Sequence, residues 1–423
     1  MSRPSPVRAT VHGPRARARA RSSAREGAFE CASHPRCAGC ARVDAPLDPE
    51  VLTRVRAYFG DDHVTFRGSS TRWRCKAKLA VREDDHGVSL GLFARGTHDV
   101  VAMETCAVSH RAVDRAAALT RETCRAMGVE AYDESSGRGE LRYVQVVVQG
   151  VSSAGARNPS RDGERARASI SLVWNASEMT KRVEDVCDDL ARRGGREFVH
   201  GVWVNLQDAR TNTIFNDRGW THVRGERLTS LATPDGTPIY YLPGSFMQAN
   251  AEAYGALLER MPRHVPRGAR ITEMYAGTGA IGFSLLMNAE LDVQSLRCVE
   301  SSSAVKEAWE RTRDELPSGV KSKASLRVEK ADRVVVESTK DCDVLIVDPP
   351  RKGLGATVRS ALTSDTLSAD LKVLMYVSCG FDSFQRDADE LIRSGMWRLA
   401  HHESFIFFPA TNHVEVFAVF ERA

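Results

Sequence analysis

The sequence lacks any run of 18 consecutive apolar residues, and no apolar segment follows the positive charges at its start. A membrane-spanning helix needs about 20 such residues, and a secretory signal needs a shorter apolar run behind its charges. Neither kind of segment is therefore expected. With 423 residues and 42% hydrophobic content, the chain is long enough for two or three domains, each with its own core.

The start of the chain lacks acidic residues and lysine. Residues 1–25 contain seven Arg, with Ser, Ala and Pro between them, a composition typical of an organellar transit peptide. We expect an unfolded basic arm over 1–28 and an organellar location, with the chloroplast favoured over the mitochondrion. A disordered arm that touches RNA is the alternative, and the protein would then be cytoplasmic. Without these seven arginines, 52 of the 59 Lys and Arg remain against 55 Asp and Glu. The rest of the chain is therefore slightly acidic, and its net charge indicates no nucleic-acid partner.

Cysteine is too sparse for a small disulfide-bonded scaffold, with ten in the whole chain. Three of them, Cys31, Cys37 and Cys40, stand five and then two residues apart. This spacing indicates a small metal-binding loop over 29–45. Cysteine pairs two residues apart serve iron–sulfur clusters and zinc alike, so the spacing leaves the metal open.

The remainder of the chain divides into two parts. Between 46 and 240, short strand-like runs alternate with helical stretches at 112–127 and 178–193, which indicates an α+β domain. Between 241 and 423, strands alternate with helices, which predicts a doubly wound parallel sheet of the α/β class. The strands expected in this second part are 270–275, 295–300, 344–347 and 373–378.

Three glycines, Gly277, Gly279 and Gly282, follow the first of these strands. Glycines let the backbone turn tightly and approach a ligand, and Glu300 at the end of the next strand can accept the hydroxyls of a ribose. The pattern serves NAD and S-adenosylmethionine alike, and it also occurs in turns without a ligand. The Asp348-Pro-Pro turn after a later strand favours S-adenosylmethionine, because a dinucleotide dehydrogenase has no use for a rigid turn there. In S-adenosylmethionine enzymes such a turn holds the target base.

Cys379 follows the strand 373–378, at the edge of an open α/β sheet where ligands bind. A thiolate there could add to C6 of a uracil and make C5 able to take a methyl group. The C5 proton must then leave, and Glu415 is the candidate general base. A core thiol and a strand-end ion pair are the alternatives, but neither explains why four motifs occur in this order.

These motifs resemble those of the RNA 5-methyluridine methyltransferases, specifically the iron–sulfur branch that acts on ribosomal RNA, from about residue 30 to the end. The resemblance implies a C-terminal class I, Rossmann-like methyltransferase domain preceded by a smaller α+β domain carrying a cysteine cluster. It also implies a monomer that acts on ribosomal or transfer RNA. Cys379 falls on the family's nucleophile and Glu415 on its base. The residues implied to bind S-adenosylmethionine or the target base are Gln248, Tyr275, Gly277, Gly279, Glu300 and Asp348.

The spacing of Cys31, Cys37 and Cys40 is similar to the cluster motif of that branch, whose fourth thiolate comes from further along the chain. Cys106 fits that position. Four thiolates suit a [4Fe–4S] cluster. The alternative is a structural zinc, held by the four cysteines or by three of them and His34.

The sequence departs from the family pattern in three ways. Ala280 stands where Asn is usual, Gly380 stands where Asn-Pro is common, and we expect no OB-like RNA-binding domain ahead of the cysteine cluster. A cytosine-C5 RNA methyltransferase is the nearest rival, but its release cysteine would follow Asp348-Pro, where the sequence has none. A non-catalytic RNA-binding protein with the same fold is a further alternative, and the Cys379 and Glu415 pair argues against it.

Overall fold

The structure, a computed structural model, describes residues 27–85, 87–153, 166–365 and 367–423. Nearly all of the basic arm expected over 1–28, and with it the predicted transit peptide, lies outside the described residues. Among the helices that the structure describes, none is long and apolar enough to span a bilayer.

The first part of the described chain mixes short strands with three helices. In chain order its elements are α1 (Val51–Phe59), β1 (Val64–Thr65), β2 (Lys76–Asp84), β3 (Gly87–Phe93), β4 (Val100–Ala102), α2 (Arg111–Met127), β5 (Leu141–Val148), β6 (Val151–Ser152), β7 (Ala168–Trp174), α3 (Lys181–Gly194), β8 (Val199–Leu206), β9 (Trp220–Gly225), β10 (Thr229–Ala232) and β11 (Pro238–Tyr241).

Seven of these strands form one sheet in the order β4-β3-β2-β5-β7-β8-β9. Neighbouring strands are antiparallel except for the pair β7 and β8. Every residue of β7 and β8 is buried, as expected where both faces of a sheet are covered. Helices α2 and α3 pack against each other and contact strands of this sheet. The strands β11, β10 and β6 form a separate small sheet.

The second part of the chain alternates between helices and strands. Its elements are α4 (Ala251–Arg260), β12 (Arg270–Met274), α5 (Ala280–Met287), β13 (Ser295–Glu300), α6 (Lys306–Glu315), α7 (Ser318–Lys321), β14 (Ala324–Val328), α8 (Ala331–Ser338), β15 (Val344–Val347), α9 (Ala356–Leu362), β16 (Val373–Ser378), α10 (Phe381–Arg393), β17 (Trp397–Phe405) and β18 (Glu415–Arg422).

The strands of this part form an eight-stranded sheet in the order β1-β17-β18-β16-β15-β12-β13-β14. Strands β12 to β16 are parallel, and β18 runs antiparallel to both of its neighbours. The predicted α/β fold is confirmed. Because the chain leaves β12 toward β13 on one side and later enters β15 on the other, the order reverses between β12 and β15.

Strand β1 belongs to this second sheet, and helix α1 packs against its elements. Strand β1 pairs with β17, with Val64 opposite Ser404, and α1 buries Leu52 and Phe59 in the core of the C-terminal elements. Residues 51–65, which we expected in the α+β domain over 46–240, therefore pack with the C-terminal sheet instead. The physical reason is that the apolar face of α1 is covered by residues far away in the sequence, which no local pattern reveals.

Asp387 in α10 holds the loop that follows Asp348-Pro-Pro. Its fully buried carboxylate accepts hydrogen bonds from the backbone N of Leu354 and the hydroxyl of Tyr376, each at 2.8 Å. Gly353 has a φ of 77°, and a Cβ there would lie 2.5 Å from the same carboxylate. The loop therefore packs directly on Asp387, and a helix beside the sheet fixes the loop at its carboxyl edge.

Replacing Asp387 with Ala should lower the free energy of unfolding by about 3 kcal/mol, because two buried donors lose their acceptor. The matched control is Asp382→Ala in the same helix, where the carboxylate is exposed and pairs with Arg54. That change should cost less than about 1 kcal/mol. Urea unfolding of both variants measures the difference. Equal losses would show that the buried carboxylate does not hold the loop.

Candidate active site

The carboxyl edge of the parallel strands collects most of the predicted site residues. Ligands of doubly wound sheets bind at this edge, next to the point where the strand order reverses. Here the reversal lies between β12 and β15. The residues at this edge are Tyr275 directly after β12, Glu300 at the end of β13, Asp348 directly after β15 and Cys379 directly after β16.

Glu415 reaches the same edge from the opposite direction, because it is the first residue of the antiparallel strand β18. The register that pairs Ser378 with Val416 brings Glu415 beside the position of Cys379. The side chain of Glu415 is 1% exposed, and its Oε2 has no hydrogen-bond partner among the described residues. A buried oxygen without a partner is costly unless a proton or a ligand satisfies it.

Two carboxyl groups and one guanidinium group govern the protonation of this edge. Burial raises the pKa of Glu415 well above its ordinary value; the nearby Asp348 raises it further, and Arg351 lowers it. Burial also raises the pKa of Asp348 to about 7. The two carboxyls titrate as a pair, so protons remain bound at this edge near neutral pH.

The same surroundings keep the sulfur of Cys379 protonated in the free protein. Burial raises the pKa of this thiol to about 11; Glu415 and Asp348 raise it as well, and Arg351 lowers it. A thiol beside carboxyls with high pKa values can exchange protons with them. The arrangement is suited to nucleophilic addition coupled to proton transfer.

The glycine segment between β12 and α5 forms a tight turn. Tyr275, Gly277 and Gly279 have positive φ values of 59°, 53° and 80°. The backbone N of Gly277 donates to Oε2 of Glu300 at 3.0 Å. A Cβ on Gly279 would lie 2.9 Å from Nε1 of Trp309, so this position has no room for a side chain. The structure therefore brings the predicted glycine turn and Glu300 into direct contact.

Sequence reasoning missed Glu273, which supports the glycine turn from within β12. Its carboxylate is buried and accepts a hydrogen bond from the backbone N of Gly282 at 2.9 Å. A Cβ on Gly282 would lie 2.5 Å from the same oxygen. Burial raises the pKa of Glu273 to about 8. An acidic residue within a strand predicted to lie in a parallel sheet, where both faces are covered, was the signal that could have revealed it.

Gln248 lies in the loop between β11 and α4 and is buried. The thiol of Cys75 donates to its backbone carbonyl at 3.6 Å. Two residues further on, the side chain of Asn250 donates to the carbonyl of Phe407 at 2.9 Å. This bond ties the Gln248 loop to the segment that leads to Glu415.

The four cysteines predicted to bind a metal lie together. Burial raises the pKa of Cys40 to about 12, and the nearby Cys106 raises it as well, while Arg74 lowers it. Cys106 comes from the segment between β4 and α2, so the cluster joins two separate parts of the chain. The residues that line the common pocket include Cys31, His34, Cys37, Cys40, Arg74 and Cys106.

Comparisons with known proteins identify the family of the chain. No protein-family model matches it. An uncharacterised RNA methyltransferase of Protochlamydia amoebophila is 31% identical over 402 residues, which cover 93% of this chain and 98% of the relative. Another, of Enterococcus faecalis, is 25% identical over 353 residues, which cover 83% of this chain and 71% of the relative.

A tRNA (uracil-54, C5)-methyltransferase of Pyrococcus abyssi, solved with S-adenosyl-L-homocysteine, has a similar fold. The TM-score is 0.69 at 20% identity, with 91% of this chain and 86% of the other covered. The fold is thus that of the class I, Rossmann-like methyltransferases. At the level of sequence, the chain belongs to the RNA methyltransferase family. The predicted fold class and the predicted membership of the RNA methyltransferases are confirmed.

Replacing Glu415 with Gln should stabilise the free protein at pH 8. The unfolded carboxyl loses its proton near its ordinary pKa of 4.5, but the folded one keeps it to higher pH, so native stability falls as the pH rises between these values. Because Gln does not ionise, the melting temperature of the variant should exceed that of the wild type increasingly from pH 5 to pH 8.

The matched control for this prediction is Glu421→Gln on the same strand. Glu421 is half-buried and forms an ion pair with Arg398, whereas the buried Glu415 has an oxygen without a hydrogen-bond partner among the described residues. Its replacement should give no gain that grows with pH. A Glu415→Gln protein that is less stable than the wild type at every pH would contradict the assignment of a strained carboxylate.

Proposed function

We propose that this RNA methyltransferase forms 5-methyluridine, with S-adenosylmethionine as methyl donor, Cys379 as nucleophile and Glu415 as general base. The supporting observation is that Cys379, Asp348 and Glu415 meet at the carboxyl edge, on separate strands. A base and a nucleophile are needed together for C5 methylation of a pyrimidine, because a proton must leave C5 before the thiolate can depart.

The glycine turn and Glu300 are the proposed cofactor site. Glu300 is held in place, because it accepts hydrogen bonds from the backbone N of Gly277 at 3.0 Å and of Ser302 at 2.8 Å. An acidic residue here accepts ribose hydroxyls in folds of this kind. Gln248 and Tyr275 are proposed to contact the cofactor or the target base. S-adenosylmethionine supplies an electrophilic methyl group when bound.

The chain's own residues then divide the proton transfers between them. Cys379 adds to C6 of the uracil as a thiolate, and Asp348, with a pKa of about 7, is a suitable acceptor for the thiol proton. Once C5 carries the methyl group, Glu415 removes the C5 proton, and the thiolate leaves as the ring recovers its double bond. Because its pKa is raised, Glu415 must give up its own proton before this step, and its carboxylate is then a stronger base.

Two further observations support uracil as the target base and an RNA contact near Gln248. The Pyrococcus abyssi protein of similar fold acts on a tRNA uracil. In the Gln248 loop, Phe246 is 70% exposed, and the amine of Lys76 donates to the backbone carbonyl of the adjacent Ser245 at 2.6 Å. An exposed aromatic ring is the kind of group on which unpaired RNA bases stack.

The cysteine pocket is proposed to hold a [4Fe–4S] cluster through Cys31, Cys37, Cys40 and Cys106. The four cysteines line one pocket. Four thiolates are the ligand set of such a cluster.

Organellar import, with the chloroplast favoured over the mitochondrion, is proposed from the arginine-rich arm alone. The monomeric state also remains a prediction from the resemblance.

Replacing Cys379 with Ala should lower methyl transfer from labelled S-adenosylmethionine to undermethylated RNA by at least about 10³-fold, because the covalent route is lost. RNA binding should persist. Replacing Glu415 with Gln should trap a covalent protein–RNA adduct, because the C5 proton then has no acceptor. Nuclease digestion of the product should yield 5-methyluridine.

The control for this experiment is Cys342→Ala, a buried cysteine just ahead of β15 at the opposite edge of the same sheet. That variant should keep its activity. An unchanged rate in Cys379→Ala would remove the proposed mechanism. Methylcytosine as the product, without methyluridine, would assign the chain to the cytosine-C5 enzymes instead.

Protein purified without oxygen should show a broad visible absorbance that bleaches on reduction, as expected for a [4Fe–4S] cluster. Cys106→Ser should lose iron and absorbance together. Cys124→Ser, which changes a buried cysteine of α2 outside the pocket, should keep both. A colourless protein with a bound zinc that Cys106→Ser loses would support the zinc alternative.

A further inference from the structure

Three potential metal ligands meet at one end of the eight-stranded sheet, where α1 and β1 pack on β17. Oδ2 of Asp61 lies 3.1 Å from Nε2 of His402 and 3.8 Å from Nδ1 of His63. One ligand atom from each residue lies within 4.8 Å of the others. None of the three takes part in the proposed methyl transfer.

The backbone and one aromatic contact fix these side chains. Helix α1 ends at Phe59, and Asp61 follows the turn at Gly60, which has a φ of 79°. The ring of His402 is buried and stacks on the ring of Phe59, with the centroids 3.9 Å apart and the planes 4° apart. The backbone N of His63 donates to Oδ1 of Asp61 at 3.3 Å, so Oδ2 is left to face the two imidazoles. The cluster is preorganised.

The charge balance of the cluster favours a cation. Asp62, the next residue, forms an ion pair with Arg56. In the described part of the chain, the ion pairs of Asp61 are with His63 and His402 and with no Lys or Arg. Among the described residues, the carboxylate thus faces two imidazole rings and no Lys or Arg side chain. A divalent ion would supply the missing positive charge.

The ligand set and its spacing match those of a zinc ion. Imidazole nitrogens and carboxylate oxygens bind Zn²⁺ at about 2.0–2.2 Å, which puts neighbouring ligand atoms of a tetrahedral site about 3.3 Å apart. The two distances to Asp61, 3.1 and 3.8 Å, lie on either side of that value. The side chain of His63 is 62% exposed, so an ion can enter from solvent and keep water as its fourth ligand.

We propose that Asp61, His63 and His402 bind one divalent transition-metal ion, with Zn²⁺ the best match, at a site separate from the cysteine cluster and from the catalytic edge. Asp61 and His63 belong to the segment between α1 and β1, and His402 belongs to β17. The ion therefore links the α1–β1 segment to the catalytic sheet. Binding should stabilise the folded protein, because a preformed site of this kind does not exist in the unfolded chain.

The test uses the full-length protein with its cysteine cluster intact, titrated with Zn²⁺ by calorimetry and with Co²⁺ by visible absorbance. The wild type should bind one equivalent of metal ion at this site. His63→Ala should bind that ion at least about 10-fold more weakly, because losing even a supporting partner of a metal ligand lowers metal affinity by that much. His63 is exposed, so this variant should fold. Asp61→Asn should weaken binding in the same way. Metal taken up by the cysteines is common to all variants and cancels in the comparison.

The matched control is His98→Ala, which removes another exposed histidine with a carboxylate, that of Glu134, 3.5 Å away. It should bind as the wild type does. Added Zn²⁺ should raise the melting temperature of the wild type and of His98→Ala, but not that of His63→Ala. The proposal is overturned if the wild type binds no such equivalent, or if His63→Ala and Asp61→Asn bind it as tightly as the wild type.

Discussion

The antiparallel pairing of β18 with β16 is the constraint on which the candidate active site depends. It joins six residue pairs, from Val373 opposite Glu421 to Ser378 opposite Val416, and so brings Glu415 beside Cys379. A slip of one residue would turn every side chain of β18 to the other face of the sheet. The first six residues of β18 are buried, so such a slip would cost much of the core. Packing across the whole strand thereby fixes the position of one carboxylate.

The same burial makes the site costly to maintain. Glu415, Asp348 and Glu273 all lie near the glycine turn or the thiol, and burial raises the pKa of each. A protein selected for stability alone would not place three acidic groups in this environment. Elsewhere the fold compensates with buried contacts that are fully satisfied, such as Asp387 with Tyr376. The combination is typical of a site whose strained groups are satisfied during a reaction.

The strand predictions cover the parallel strands around the site and miss three other strands of the same sheet, including the buried β18. The bounds expected for β13, β15 and β16 agree with the structure, and in β15 and β16 a nearly continuous apolar run marks a buried parallel strand. Strands β14, β17 and β18 were not predicted. In β14 most residues are exposed, and β17 contains the polar run from His401 to Glu403, so neither has a clear apolar pattern. The placement of α1 and β1 on the second sheet depends on partners more than 300 residues away.

The sequence by itself determined which chemical groups the protein carries and in which order: the glycine turn, the Asp-Pro-Pro turn, the strand-end cysteine and the spacing of the first three cysteines. Such features are local, because they depend on a few adjacent residues and their backbone preferences. Only the tertiary structure decided which groups meet: Glu415 with Cys379, Cys106 with the cysteine loop, and His402 with Asp61. It also decided their protonation, because a pKa depends on burial and neighbouring charge, and both arise only when distant segments pack together.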